Sequence, residues 1–190
     1  PLVLLPCSAR KPYSESQSHE QFRRAIGYRG HMVSMTSPIG VVPNELETTY
    51  PAQHYDSVVT GRWTETEIEF VATVLRRYLE RAEYDRHIAH LPSEYREICE
   101  RVENALSIEF EYTAVDHPTT DESLAALDAA LEGEDSYYKS ERESATVRAI
   151  ADFQFGDGAG DAVFGPDAMT EGMYPKLRVR DGDGEHLATM

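Results

Sequence analysis

The chain has 190 residues, with 34 acidic against 18 basic side chains and a formal net charge of −16. This length allows one core domain plus an appendage; no run approaches the roughly 18 apolar residues of a membrane span, and Cys7 and Cys99 are too few and too far apart for a disulfide framework or a zinc site. The composition predicts a soluble, cytoplasmic protein with no membrane partner.

Residues 2–5, Leu-Val-Leu-Leu, form a short continuous apolar run of the kind found in a buried parallel strand. Directly after it, residues 6–19 read PCSARKPYSESQSH, which gathers a cysteine, a lysine, a tyrosine, serines and a histidine at the carboxyl end of that strand. In open α/β sheets that edge is where ligands bind. Ser18 is a candidate cap for a helix through Phe22 and Ile26 that ends at Gly27 and Gly30, and residues 31–36 read as a second strand, completing a βαβ unit. Residues 37–63, with prolines at 38, 43 and 51, glycines at 40 and 61, and His54, read as a long ordered loop.

Thr64 and Glu67 form a capping box ahead of a helix whose Ile68, Val71, Ala72, Leu75 and Leu79 share one face. A third strand is expected over residues 86–91, a helix over 93–104 with Ile98 and Val102 inward, and a fourth strand over 107–115. Four strands interleaved with helices predict a three-layer α/β/α domain around a four-stranded parallel sheet. The expected strand order is 2-1-3-4. Further helices are expected over 121–131 and 136–153, which closes a core domain at residues 1–153. Residues 154–190 turn to glycine, aspartate and proline and read as a connector opening a small, partial α+β module with a strand at 176–179. Within it, residues 156–160, GDGAG, lack the lysine and following Ser/Thr of a phosphate-binding P-loop.

Each residue of the first cluster has a chemical and a structural reading. Cys7 is a nucleophile or a packed thiol. Lys11 is one of only three lysines in the chain; it reads as an anion or base contact or as a solvated charge. Tyr13 stacks on a base, donates its hydroxyl, or packs. Ser16 and His19 lie where a helix begins and where serine commonly caps; His19 is a general acid–base candidate or an exposed helix-start side chain. His54, in YPAQHYD, is catalytic or is held to Asp56 for loop structure. The seven histidines show no metal-ligand spacing. Scarce lysine beside abundant arginine and a large acid excess reads as salt adaptation, in which a hydrated acidic surface stays soluble while salt screens its repulsion. Acidity of that kind does not exclude a nucleic-acid partner.

The cluster resembles the archaeosine synthase family, archaeal tRNA-modifying enzymes related to tRNA-guanine transglycosylase. Its signature PC-x3-KPY-x2-S-x2-H is met by Pro6, Cys7, Lys11, Pro12, Tyr13, Ser16 and His19, and the segments TSPIGVVPNELE, YPAQHYDSVVTGRW and ADFQFGDGAGDAVFG resemble further blocks of the same family. The resemblance implies a core catalytic domain cut from a longer protein, with a truncated C-terminal module that precedes a PUA domain. It implies tRNA bearing 7-cyano-7-deazaguanine as substrate and free lysine as amine donor. Further implied partners are a radical-SAM enzyme and a second copy in a homo-oligomer; no cofactor is expected in this domain. The implied roles are Cys7 as nucleophile, His19 in proton transfer, Lys11 and Tyr13 at the tRNA or its base, and Ser16 at the amine donor, with Ser8 and His54 as further substrate contacts. At fold level the sheet also resembles the uracil-DNA-glycosylase-like group, but base excision wants an aspartate or asparagine that the cluster lacks. A non-catalytic tRNA-binding domain is the third reading.

Overall fold

A computed structural model of the chain describes residues 1–55 and 62–135, together with the backbone of 178–180 and 186–189. The apolar opening forms strand β1 (Leu2–Pro6), and its alternation sorts the core. Leu2 and Leu4 point to one face, with Val33 and Met35, while Val3 and Leu5 point to the other, with Met32. Strand β2 (His31–Thr36) pairs parallel to β1, with Leu4 opposite Val33. On the other side of β1 runs β4 (His87–Ala89), also parallel, followed by β5 (Glu111–Tyr112).

The four expected strands therefore lie in the order β2-β1-β4-β5, but the sheet is five-stranded and mixed. Strand β3 (Gly40–Pro43) runs antiparallel to β2 on the outer edge, inside the segment expected to be loop. Proline is tolerated there because an edge strand need not donate on its solvent side. The strand begins on Gly40, at φ 95, where an added Cβ would lie 2.5 Å from the Val74 side chain. Only glycine fits this close approach of the edge strand to the helix beneath it.

Two helices cover each face. Helices α2 (Glu65–Leu79) and α3 (Arg96–Leu106) bury Ile68, Val71 and Leu75, and Ile98, Cys99 and Val102, against Leu2, Leu4 and Met35. On the opposite face α1 (Gln17–Ile26) and α4 (Asp121–Ala130) bring Phe22, Ile26 and Leu127 against Val3, Leu5 and Ile88. Each fully buried side chain of this kind contributes roughly 1.5–3 kcal/mol of transfer free energy. The capping box at α2 is present with both reciprocal bonds. For α1 the cap is Ser16 rather than Ser18: the Ser16 carbonyl accepts the first helical bond, from Glu20 N–H at 2.9 Å. Residues 93–95 wind as a 3-10 turn before α3 instead of joining it, and the fourth strand is reduced to two residues.

Cα packing divides the chain into two compact units, Pro1–Ser136 and Tyr137–Met190. The second holds an antiparallel pair, β6 (Arg178–Arg180) and β7 (His186–Thr189). The helix expected over 136–153 and the boundary expected at 153/154 fall outside the described residues. Among the described residues no helix is long and apolar enough to cross a membrane, and no group of three His, Cys, Asp or Glu side chains could hold a metal ion.

Candidate functional site

The parallel strands end together at one edge of the sheet, and the chain leaving them walls a cavity of about 370 Å³. Cys7, the first residue after β1, faces it beside Lys11; Thr36 and Ser37 enter from the end of β2, and Pro92, Glu94 and Tyr95 from the turn after β4. His117, Pro118 and Thr119 close the side beyond β5. That last segment is pinned from below by buried His90. Its Nε2 donates to the Pro118 carbonyl at 2.7 Å, which leaves Nδ1 to accept from the Thr113 hydroxyl at 2.9 Å. Burial lowers the His90 pKa, so the ring is neutral and holds this tautomer.

Phe22, Tyr55, Trp63 and Tyr95 bring aromatic rings to the walls. Tyr95 meets Trp63 edge to face with centroids 4.9 Å apart, and Lys11 Nζ lies 4.0 Å from the centroid of Tyr55. The Cys7 thiol and the Tyr95 hydroxyl are 3.6 Å apart, within hydrogen-bond reach for sulfur. Burial, with Cys7 next to it, raises the Tyr95 pKa, so the phenol stays protonated and is a donor to a Cys7 thiolate. Glu67 places a carboxylate on the wall. It accepts from Ser37 at 2.6 Å and from the backbone and hydroxyl of Thr64 at 2.8 Å, and these bonds, the Ser37 hydroxyl foremost, hold its pKa below the ordinary value although partial desolvation opposes them.

The structure separates the expected site residues into those on the cavity and those behind it. Cys7 and Lys11 line the cavity. Tyr13, 1% exposed, lies beneath, its phenol hydrogen-bonded to that of Tyr55, and burial raises its pKa first and Tyr55 second. His19 is also 1% exposed and does not line the cavity: it stacks on Tyr13 at 4.7 Å and its Nε2 meets the Ser34 hydroxyl at 3.0 Å. Burial, and then the charge of Arg23, push its pKa down to about 3. A histidine at the start of a helix is here a neutral core side chain supporting the Tyr13 ring, because α1 turns its first buried face toward the sheet. Ser16 is buried and donates to Ser8 at 2.8 Å, with Ser18 at 2.9 Å, so the serines brace the motif's own turn. His54 is exposed in the turn after Pro51 and does not line the cavity; its neighbour Tyr55 does.

Sequence reasoning missed Tyr55, Trp63, Glu67 and Tyr95 as cavity residues. Tyr55 and Trp63 sit in YPAQHYDSVVTGRW, where a pair of aromatics flanking a loop was the available signal. Glu67 carries only the signature of a helix cap in the sequence.

Residues 1–131 match the family model described as domain of unknown function DUF5591, and residues 145–190 match the patch-forming domain C2 of tRNA-guanine transglycosylase. The chain belongs to the first of these families, and its resemblance to archaeosine synthase extends well beyond the motif at Pro6 to His19. It is 60% identical to "Archaeosine synthase" of Haloferax volcanii, over 100% of this chain and 33% of that protein. It is 45% identical to "Archaeosine synthase subunit alpha" of Methanosarcina acetivorans, over 100% of this chain and 32% of that one. The chain thus spans about a third of the length of these relatives. Among solved structures, the crystal structure of AF0587, a protein of unknown function, aligns with TM-score 0.63 and 29% identity over 99% of this chain and 61% of that chain.

Proposed function

We propose that this chain is the part of an archaeosine-synthase-type enzyme that handles the nitrile of 7-cyano-7-deazaguanine in tRNA and adds lysine to it. The observation that carries the reading is the placement of Cys7: the motif delivers a thiol to the floor of an aromatic-walled cavity at the sheet's carboxyl edge, next to a phenol that stays protonated. Tyr55, Trp63 and Tyr95 present ring surface to a planar base, and every base offers a π-face for such contact. Lys11, fixed over Tyr55, is a cation for a phosphate or a base edge. The layered sheet with its reactive cluster after the first strand agrees with a uracil-DNA-glycosylase-like arrangement, an analogy at the level of fold.

The chemistry balances without a cofactor. An amine N–H adds across the C≡N bond: a C–N bond forms, one π pair becomes an N–H bond on the former nitrile nitrogen, and nothing leaves. In the covalent version the Cys7 thiol adds first, S to carbon and its proton to nitrogen, giving a thioimidate. The amine then attacks the same carbon, the C–S bond breaks, and the thiolate regains a proton as the amidine is released. Tyr95 is the donor placed to stabilise that thiolate. His19, enclosed and neutral, acts as a positioning residue through Tyr13.

Transfer of isotope-labelled lysine to tRNA by the full-length enzyme tests the reading. Label is expected on nitrile-bearing tRNA and not on tRNA with guanine at that position; equal labelling of both, or of neither while tRNA is bound, overturns it.

A further inference from the structure

A second cavity, about 250 Å³, adjoins the first and shares Pro92 and Tyr95 with it. Its lining includes Arg96, Tyr112 and Asp116. In this acid-rich chain Arg10, Arg24, Arg29, Arg76, Arg86 and Arg101 each hold a carboxylate. Arg96, like Arg77 and Arg81, makes no ion pair among the described residues; its guanidinium carbon lies 3.4 Å from the centroid of the Tyr112 ring. Stacking fixes the plane of a guanidinium and leaves its N–H edges available for a planar anion. Asp116, held in the left-handed region at φ 58, brings a carboxylate to the same cavity, and no described side chain ion-pairs with it.

We infer that this cavity is the amino-acid donor site, where Arg96 takes the α-carboxylate of a zwitterion and Asp116 its α-ammonium. The inference rests on the amine-addition reading above and deepens it. A carboxylate matches the fork of arginine in two parallel hydrogen bonds, and an opposite charge across the cavity selects an α-amino acid over a simple anion or a simple amine. Held at its head group, the donor extends its side-chain amine past the shared wall of Pro92 and Tyr95 into the cavity that carries Cys7. Recognition of the donor and reaction of its far end are thereby assigned to two adjoining chambers.

The test is calorimetric titration of the full-length protein with L-lysine and with n-pentylamine, which has the reactive end but no head group, in wild type, Arg96→Gln, Arg96→Lys and Asp116→Asn. Matched thermal unfolding of each variant controls for folding. Lysine affinity is expected to fall about tenfold or more in Arg96→Gln and Asp116→Asn, and less in Arg96→Lys, which keeps the charge and loses the fork. The affinity of n-pentylamine should stay within about twofold across all four proteins, since it makes neither contact. Lysine binding that is unchanged in both Arg96→Gln and Asp116→Asn, or parallel losses for lysine and n-pentylamine, overturns the donor site. Head-group-dependent lysine binding by a protein that transfers no lysine to tRNA upholds the site and sinks the reaction reading instead.

Discussion

His19 sits in the reactive-looking motif with its ring stacked on Tyr13 and its pKa pushed down from 6.5 to about 3 by burial and Arg23. Because the folded value is below the unfolded one, the unfolded chain binds more protons between those limits. The neutral ring therefore stabilises fully above about pH 6.5, and that contribution is lost as pH falls toward about 3. His19→Gln keeps a partner for Ser34 without titrating. We expect it to flatten the acid limb of the stability curve by a few kcal/mol between those limits in urea denaturation at stepped pH; an unaltered limb would place the ring in water. Cys7 is expected to behave otherwise, because it faces the cavity. Cys7→Ala should leave urea stability within about 1 kcal/mol and reduce lysine transfer by about a hundredfold or more if the thioimidate forms. Retained turnover in the folded variant would leave Cys7 as a wall residue.

At the scale of elements, the start of α2 serves both the helix and the site. Thr64 caps it through Glu67, and the same Glu67 carboxylate is the one that Ser37 fixes on the cavity wall. Thr64→Ala should cost about 1 kcal/mol of stability in chemical denaturation and loosen the Glu67 wall. Gly40→Ala, which must fit a Cβ beside Val74 at φ 95, should cost about 1–3 kcal/mol; a neutral result would mean that β3 shifts freely on α2. Both elements show how far the sequence is legible. The apolar run of β1, the capping box and the apolar face of α2 announce themselves because periodicity and caps are local properties. Strand β3 did not, since its Gly40 and Pro43, with Pro38 just before it, carry the signature of a loop and its pairing with β2 is a tertiary fact. Tyr95 escaped for a similar reason: it reaches Cys7 across 88 residues of chain, and nothing local to SEY marks it as a cavity residue. The motif itself was legible as a cluster, whereas which of its members face the cavity depends on how α1 rolls against the sheet.

At the scale of the whole molecule, a net charge of −16 on 190 residues repels itself in dilute salt. Unfolding temperature is expected to rise between about 0.1 M and about 3 M KCl as the Debye length shrinks to a few ångströms; a fall over that range would remove the salt-adapted reading. The ion-paired arginines agree with that surface: Arg101 ties α3 to α2 through Glu65 and Glu69, with Glu97 as a third partner.

The most direct measurement is nucleoside mass spectrometry of nitrile-bearing tRNA after incubation with free lysine and the full-length enzyme in concentrated KCl. Wild type is expected to form a nucleoside heavier by one lysine. A nitrile nucleoside that remains unchanged while the tRNA is demonstrably bound would contradict it.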